Sequence, residues 1–356
     1  MNNNLFLDVH VIQTLPPSNI NRDDTGSPKT AQYGGVRRAR VSSQSWKRAI
    51  REYFKKNSEA NNIGIRSLDI VRYVAEQIQK FDESIDTDEA IKMANEILNK
   101  AGVKTKDNKA KALFFLGKSQ AVGLAKAAIE GNTDKKELQE ILKSNPAIDI
   151  ALFGRMVADD PFLNEDASCQ VAHAISTHAV QTEFDFFTAS DDLAPEDNAG
   201  AGMLGTIEFN SSTVYRYANI ALHELINQLG EKEATINTAK LFVEAFANSL
   251  PTGKVNTFGN QTLPKFILVT LRDDRPVNLV TAYEEPVYST KGYVKESIDR
   301  LLSEYRSAQK FVNEPIAKLF VTGEDILEET EFEELNTSKE LIERLGNELE
   351  KILPEK

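Results

Sequence analysis

At 356 residues the chain exceeds one typical domain core and suits two to three structural units. Its 41% hydrophobic and 27% charged residues exclude a disordered chain. Its longest apolar runs, Ala112 to Leu116 and Phe266 to Val269, are far too short to span a bilayer. No basic-then-apolar leader opens the sequence, so export is not expected. The single cysteine, Cys169, excludes an internal disulfide framework and a multi-cysteine zinc site, which fits a reducing cytoplasm. The net charge of -12 argues against indiscriminate coating of nucleic acid, yet the charge is unevenly spread. Residues 1–56 hold ten Lys or Arg against four Asp or Glu, whereas residues 316–356 hold five against twelve. A basic head on an acidic body suits a protein that grips a polyanion at one place.

In chain order, Leu5 to Ile12 alternates and reads as a half-buried strand. Leu15 to Tyr33, rich in Pro, Ser, Asn, Asp and Gly, reads as a long loop. A serine cluster then caps a helix from about Ser43 to Lys56, with Trp46, Ala49, Ile50, Tyr53 and Phe54 as its core stripe and Lys47, Arg48, Arg51 and Lys55 opposite. Residues 60–145 read as a helical insertion: one helix from Ile65 to Ile78, another from Thr87 to Gly102, and two more over Ser119–Glu130 and Thr133–Lys143. Strands follow at Val171–Val180, Thr206–Phe209 and Val214–Ala221, with Asp185 to Gly205 as a long acidic hairpin between them. A helix near Ala234–Leu250 and strands at Phe266–Leu271 and Val277–Tyr283 complete an α+β core. Helices at about Gly292–Val312 and Ser338–Leu353 close the chain, the second behind a Thr337-x-x-Glu340 capping box.

Gly200-Ala-Gly202-Met-Leu-Gly205 spells a dinucleotide fingerprint, but an acidic loop precedes it and strand alternation follows, so it reads as a loop. His173 and His178 miss the register of a metal pair, and with Cys169 they read as structural groups. Asn21-Arg22-Asp23-Asp24 places adjacent carboxylates in a loop, where they serve either one divalent metal or a turn. The densest constellation runs from Arg37, Arg38 and Arg40 into Ser42, Ser43, Gln44, Ser45, Lys47, Arg48 and Arg51. Guanidinium groups, hydroxyls and the positive end of a helix all favour phosphate there, and nothing in the segment reads base edges. Phe184, Phe186, Phe187, Met203 and Leu204 flank the acidic hairpin, as wedges between bases or as core or subunit-interface packing.

These blocks resemble the CasC family, the backbone subunit of the type I-E CRISPR surveillance complex, Cascade, an antiviral defence assembly. The resemblance rests on Leu7-Asp-Val-His10, Asn21 to Asp24, Gly34-Gly35, Arg37-Arg38-x-Arg40 and Ser42-Ser-Gln-Ser45-x-Lys-Arg-Ala49. It resumes at Asp149 to Met156, Ala172 to His178, Phe187 to Leu193, Leu204 to Phe209 and Tyr215 to Ile220.

It implies an RRM-like (ferredoxin-like) palm in three pieces, 1–60, 169–179 and 214–356, the last carrying the C-terminal helices. It also implies helical fingers at 61–168 and a hairpin thumb at 180–213. Copies would stack head to tail along CRISPR RNA, each thumb displacing one base, while the guide pairs with target DNA. Asn21, Arg22, Ser42, Gln44, Lys47, Arg48 and Arg51 would touch the guide backbone, joined by Arg38 and Arg40 from the basic strand. Met156, Phe186, Phe187, Thr188 and Leu204 would surround the displaced base. Lys135, Lys136 and Lys143, interspersed with Glu137 and Glu140, form a weak patch for target DNA. Other Cascade subunits are the remaining partners; no cofactor, metal or catalysis is expected. The enzyme alternative is a metal-dependent ribonuclease using Asp23 or Asp24.

Overall fold

The alternating residues that open the chain form the strand Phe6–Ser18, the centre of the largest sheet. The computed structural model describes residues 4–57, 62–189, 203–324 and 332–355. Across the sheet the strand order is Glu333–Glu334, Ala317–Thr322, Pro264–Arg272, Phe6–Ser18, Met203–Ala221, Ala174–Ser176, Val36–Val41 and Thr30–Tyr33. Phe6–Ser18 runs antiparallel to Pro264–Arg272, with Val9 opposite Val269 and Val11 opposite Ile267. The opening strand is therefore buried on both faces, not one: Asp8 and His10 are as enclosed as Leu7, Val9 and Val11. A central strand with layers above and below has no solvent face for its polar side chains.

Those layers come from helices. On one face Ile12, Tyr215, Phe266 and Leu268 pack with Ile298, Leu301, Leu302 and Tyr305 of the helix Val294–Ala308. On the other, Arg216 meets Trp46 of the helix Ser43–Asn57 and Phe246 of the helix Lys232–Asn248. The result is an α+β architecture around a mostly antiparallel sheet.

Contacts divide the chain into two units. One contains residues 1–52, 171–219 and 242–345, the other 53–170, 220–241 and 346–356. The second unit has its own core, in which Ile70, Val74, Ala94, Leu98, Leu124 and Leu138 come together. They lie on the helices Ile70–Phe81, Thr87–Lys100, Lys118–Ile129 and Lys135–Lys143. Asp86 and Asp134 accept from the first backbone N–H groups of the helices they precede, which fixes two of these starts. No helix among the described residues is long and apolar enough to cross a membrane.

Several expectations need correction. Ile65 does not start a helix: Ile65–Ser67 is a strand paired with Phe114–Leu116, and the helix begins at Ile70. Val277–Tyr283 is not a strand, because Asn278 caps the N–H of Val280 and starts a tight helical turn, Leu279–Tyr283, that buries Leu279 and Tyr283. The Leu15–Tyr33 loop is shorter than its composition suggests, since the first strand reaches Ser18 and Thr30–Tyr33 pairs with Val36–Val41. Thr206–Phe209 and Val214–Ala221 are one continuous strand, Met203–Ala221. Gly200 and Gly202 lie outside the described residues, and Gly205 belongs to that strand.

Candidate nucleic-acid interface

The basic segment is assembled by its backbone. Arg37, Arg38 and Arg40 stand on the strand Val36–Val41, and extended geometry sends consecutive side chains to opposite faces. Arg37 is exposed and Arg40 half-buried, its Nε donating to the Thr30 carbonyl and its Nη1 lying 3.1 Å from His173 Nδ1. Burial, then the Arg40 and Lys29 cations, push the His173 imidazole below its ordinary pKa, so that ring is a neutral partner in a positive neighbourhood.

Arg38 corrects the sequence reading. Its side chain is fully buried, donating from Nε to the Tyr33 carbonyl, from Nη1 to Ser176 and from Nη2 to Tyr283 and Glu284. A guanidinium fully enclosed in the protein, with four of its five N–H groups on carbonyls, is out of reach of phosphate. It holds the hairpin turn instead: Gly34, at φ +57°, lies so close to the Glu284 carbonyl that no side chain fits.

The helix Ser43–Asn57 begins at Ser42, whose carbonyl accepts from Ser45 and Trp46. The Ser42 N–H is taken by Asn21 Oδ1 at 2.8 Å, which ties the preceding loop to the helix start. Ser42 is buried, so its role is to fix that junction rather than to present a hydroxyl. Gln44 and Arg48 are exposed, and Lys47 and Arg51 half-buried, on the first two turns. Arg22 is exposed on the adjoining loop, bridged to Pro28.

Between the loop, the strand Val36–Val41 and the strand Met203–Ala221 lies an open cleft, with Asn21, Lys29, Arg40, Asn210 and Ser212 in its wall. Lys29, Asn210 and Ser212 are absent from the sequence-derived set. Lys29 was legible as a cation in the loop; Asn210 and Ser212 come from a strand over 160 residues away and carry no local signal.

The neighbouring acidic pair behaves as a turn. Asp23 Oδ1 accepts from Thr25 Oγ1 at 2.7 Å and from the N–H groups of Thr25 and Ser27, which hold its carboxyl below the usual range. Asp24 is exposed.

The hairpin pairs Glu183–Ala189 with the start of Met203–Ala221, so that Phe184, Phe186 and Thr188 share one face with Leu204, Thr206 and Glu208. Phe187 lies on the opposite face with Met203, Gly205 and Ile207. Phe184 and Phe186 are 67% and 65% exposed, and Thr188, Met203 and Leu204 are exposed too, so these side chains are not core. Phe187 is half-buried. Asn19 anchors the base, its Nδ2 donating to the Glu208 and Gly26 carbonyls.

In the other unit Met156 is 86% exposed on a rigid mount. Beneath it Arg155 is buried, bonded to the carbonyls of Phe115, Leu142 and Leu163, with burial lowering its pKa to about 10. Arg155 and Glu165 exchange backbone hydrogen bonds, and Gly154, at φ +76°, turns the chain where a Cβ would lie 2.8 Å from the Glu165 carbonyl. The three lysines are unlike one another: Lys135 pairs with Asp160 at 3.0 Å, Lys143 lies over the Phe162 ring, and Lys136 is exposed.

His178 stacks on Tyr293 with ring centroids 3.6 Å apart and accepts from the Thr213 N–H, and Cys169 is buried.

Residues 7–348 match the family described as CT1975-like protein. The chain belongs to that family. Among solved structures, this family member is similar to a chain of a CRISPR RNA-guided surveillance complex in a pre-nicking state. The two share 32% identity over 97% of this chain and 100% of that one, with a TM-score of 0.85. A chain of a second CRISPR RNA-guided surveillance complex shares 28% identity over 96% and 99%, with a TM-score of 0.75. Comparison with curated proteins gives no match. Both structural matches agree with the motif resemblance to a CRISPR backbone family.

Proposed function

We propose that this chain is a non-catalytic subunit of a CRISPR RNA-guided surveillance complex of the Cascade type, holding guide RNA by its phosphate backbone. The observation that carries the reading is the junction at Ser42. There Asn21 locks the loop to a helix start, Lys29 and Arg40 stand with Asn21 in the cleft wall, and Arg22 on the loop and Gln44, Lys47, Arg48 and Arg51 on the helix adjoin it in the chain. A positive helix end flanked by cations favours phosphate and is indifferent to sequence. Base pairing supplies the specificity in such complexes, so the protein needs only to hold the guide. The acidic remainder of the chain then disfavours stray nucleic acid.

On this reading the sheet and its basic helix are the RRM-like palm, residues 61–168 the fingers and 180–213 the thumb. On the hairpin Phe184, Phe186, Phe187 and Leu204 supply apolar surface for an unstacked base, and Met156 is a separate exposed apolar side chain of the other unit. Copies add head to tail along the RNA, with target DNA and other subunits as further partners. Lys136, exposed and outside the ion pair that engages Lys135, is the best of the three DNA candidates.

The use of Asp23 Oδ1 in closing its own turn supports a structural loop over a cleavage site. The test is anisotropy of a labelled single-stranded RNA against the full chain, wild type and Lys47→Ala/Arg48→Ala/Arg51→Ala. Steeply salt-dependent binding that collapses in the triple variant is expected; binding that survives the triple variant refutes the assignment.

A further inference from the structure

Gly205 closes the Gly-x-Gly-x-x-Gly run that resembles a dinucleotide fingerprint, yet it sits in a strand and no helix start follows it. Its φ is not positive, so the backbone makes no demand for glycine. The space above it does. Gly205 stands directly across the hairpin from Phe187, and a Cβ built on it would come within 2.3, 2.7 and 3.0 Å of three atoms of the Phe187 ring. The distal end of the ring, Cζ and both Cε atoms, therefore fills the place where any other residue begins its side chain. Aromatic rings set over a glycine in this way cover exposed backbone and fix the ring's orientation.

The neighbouring ring is held differently. Phe186 faces Thr206 across the hairpin, points to the opposite side and stands 65% exposed. Two adjacent phenylalanines thus differ in kind: one is seated in a socket and the other projects. Beyond Phe187 the same face continues through Ile207 to Phe209, whose ring lies 5.8 Å from that of Phe258. Phe187 thus heads the apolar residues Ile207 and Phe209 of the longer strand, which stand opposite Asp185 and Glu183 on the way to the hairpin base.

We infer that Gly205 is a positioning residue: its missing side chain is the socket that presets the Phe187 ring as a stacking surface for an unpaired base. This rests on the RNA-binding reading above. A ring already held in its working orientation has less freedom to lose when a base stacks on it, so the preset surface binds better than the same ring left free to turn. A methyl group at position 205 lifts the ring off the strand and removes the advantage without removing the aromatic.

The test has two parts. Fluorine NMR of the full chain carrying 4-fluorophenylalanine at position 187 reads the socket directly and needs no RNA. Gly205→Ala is expected to shift that resonance and leave a probe at position 184 unmoved; an unmoved resonance at 187 overturns the inference. The second part measures binding of a single-stranded RNA carrying a fluorescent adenine analogue. Gly205→Ala is expected to weaken affinity by about five-fold and to reduce the emission change on binding, the low end of what one stacked base contributes. In a Phe187→Ala background the same substitution is expected to change nothing, because the ring it displaces is gone. An equal loss in both backgrounds, or none in either, overturns the positioning role. Wild-type protein that binds no RNA defeats the functional reading itself and this inference with it, an outcome separate from an intact socket seen by fluorine.

Discussion

Replacing Asp8 with asparagine is expected to tilt the pH dependence of stability, because two buried groups two residues apart now oppose each other. Asp8 accepts from Tyr217 Oη at 2.7 Å and from the Val277 N–H at 3.0 Å, yet burial outweighs both bonds and raises its pKa from 3.8 to about 7. Arg272 lowers it in part and Asp274 raises it. The folded state therefore keeps a proton that the unfolded chain releases, so this contribution is full below about pH 4 and is lost as the pH rises through about 7. Its size is about 4 kcal/mol, at about 1.4 kcal/mol per pKa unit. His10, on the same face of the strand and hydrogen-bonded to Tyr215, behaves inversely. Burial first, then Arg272, lower its pKa from 6.5 to about 3. Its contribution is full above about pH 6.5 and is lost, to about 5 kcal/mol, as the pH falls to about 3.

Over the shared window the two slopes cancel. Asp8→Asn removes one of them at a fixed cost, since the amide accepts at one oxygen and leaves Tyr217 or Val277 without its acceptor, about 1–2 kcal/mol at every pH. Urea unfolding of wild type and variant from about pH 4 to about pH 7.5 gives the difference free energy, in which all other titrations cancel. The variant is expected to gain on wild type by about 1.4 kcal/mol per pH unit, about 4 kcal/mol in all. Parallel profiles refute the argument.

Other perturbations have comparably definite outcomes. Arg216 is buried over the faces of Trp46 and Phe246, centroids 3.8 and 4.5 Å away, and donates to Gln13 Oε1 and the Phe246 carbonyl. Arg216→Ala strands both acceptors and is expected to cost at least about 3 kcal/mol, read by denaturant unfolding through the emission of Trp46, the single tryptophan. An unchanged midpoint contradicts this. Arg48→Ala is expected to lower the slope of log affinity against log salt by about 0.7, one phosphate contact on a single strand. Arg38→Ala is expected to leave that slope alone and lower the melting temperature; the opposite pattern refutes the division between buried and binding arginines. Gly154→Ala, at φ +76° and 2.8 Å from the Glu165 carbonyl, is expected to destabilise the Met156 mount by about 1–3 kcal/mol. Amide exchange at Arg155 and Glu165 reports it, and unchanged protection contradicts it.

What was legible in the sequence was what repeats locally. The 3.6-residue stripe of Trp46, Ile50 and Phe54 placed the basic helix correctly, and the helix starts expected at Thr87 and Thr133 lie within two residues of those found, at Thr87 and Lys135. What failed depended on partners distant in the chain. Asp8 and His10 alternate as a half-exposed strand does, and only the neighbouring strands and the covering helices bury them. Val277–Tyr283 carries strand composition, and one asparagine side chain turns it into a helical turn. Arg38 and Arg40 are two residues apart in the same basic strand, yet carbonyls from Ser176, Tyr283 and Glu284 claim one guanidinium and leave the other at a cleft. Charge counted along a chain cannot distinguish a cation that binds phosphate from one that builds the fold. Asn210 and Ser212 in the cleft wall, and the Gly205 socket, exist only once the strands are paired.

The most direct test of guide binding is the nucleic acid that accompanies the full chain through purification, extracted and sequenced. Bound RNA of uniform length carrying a repeat-derived flank, released by high salt and lost from the Lys47→Ala/Arg48→Ala/Arg51→Ala variant, is the result predicted. Protein that carries no RNA and also fails to bind added guide contradicts the account, and the cations around Ser42 are then an ordinary solvated surface.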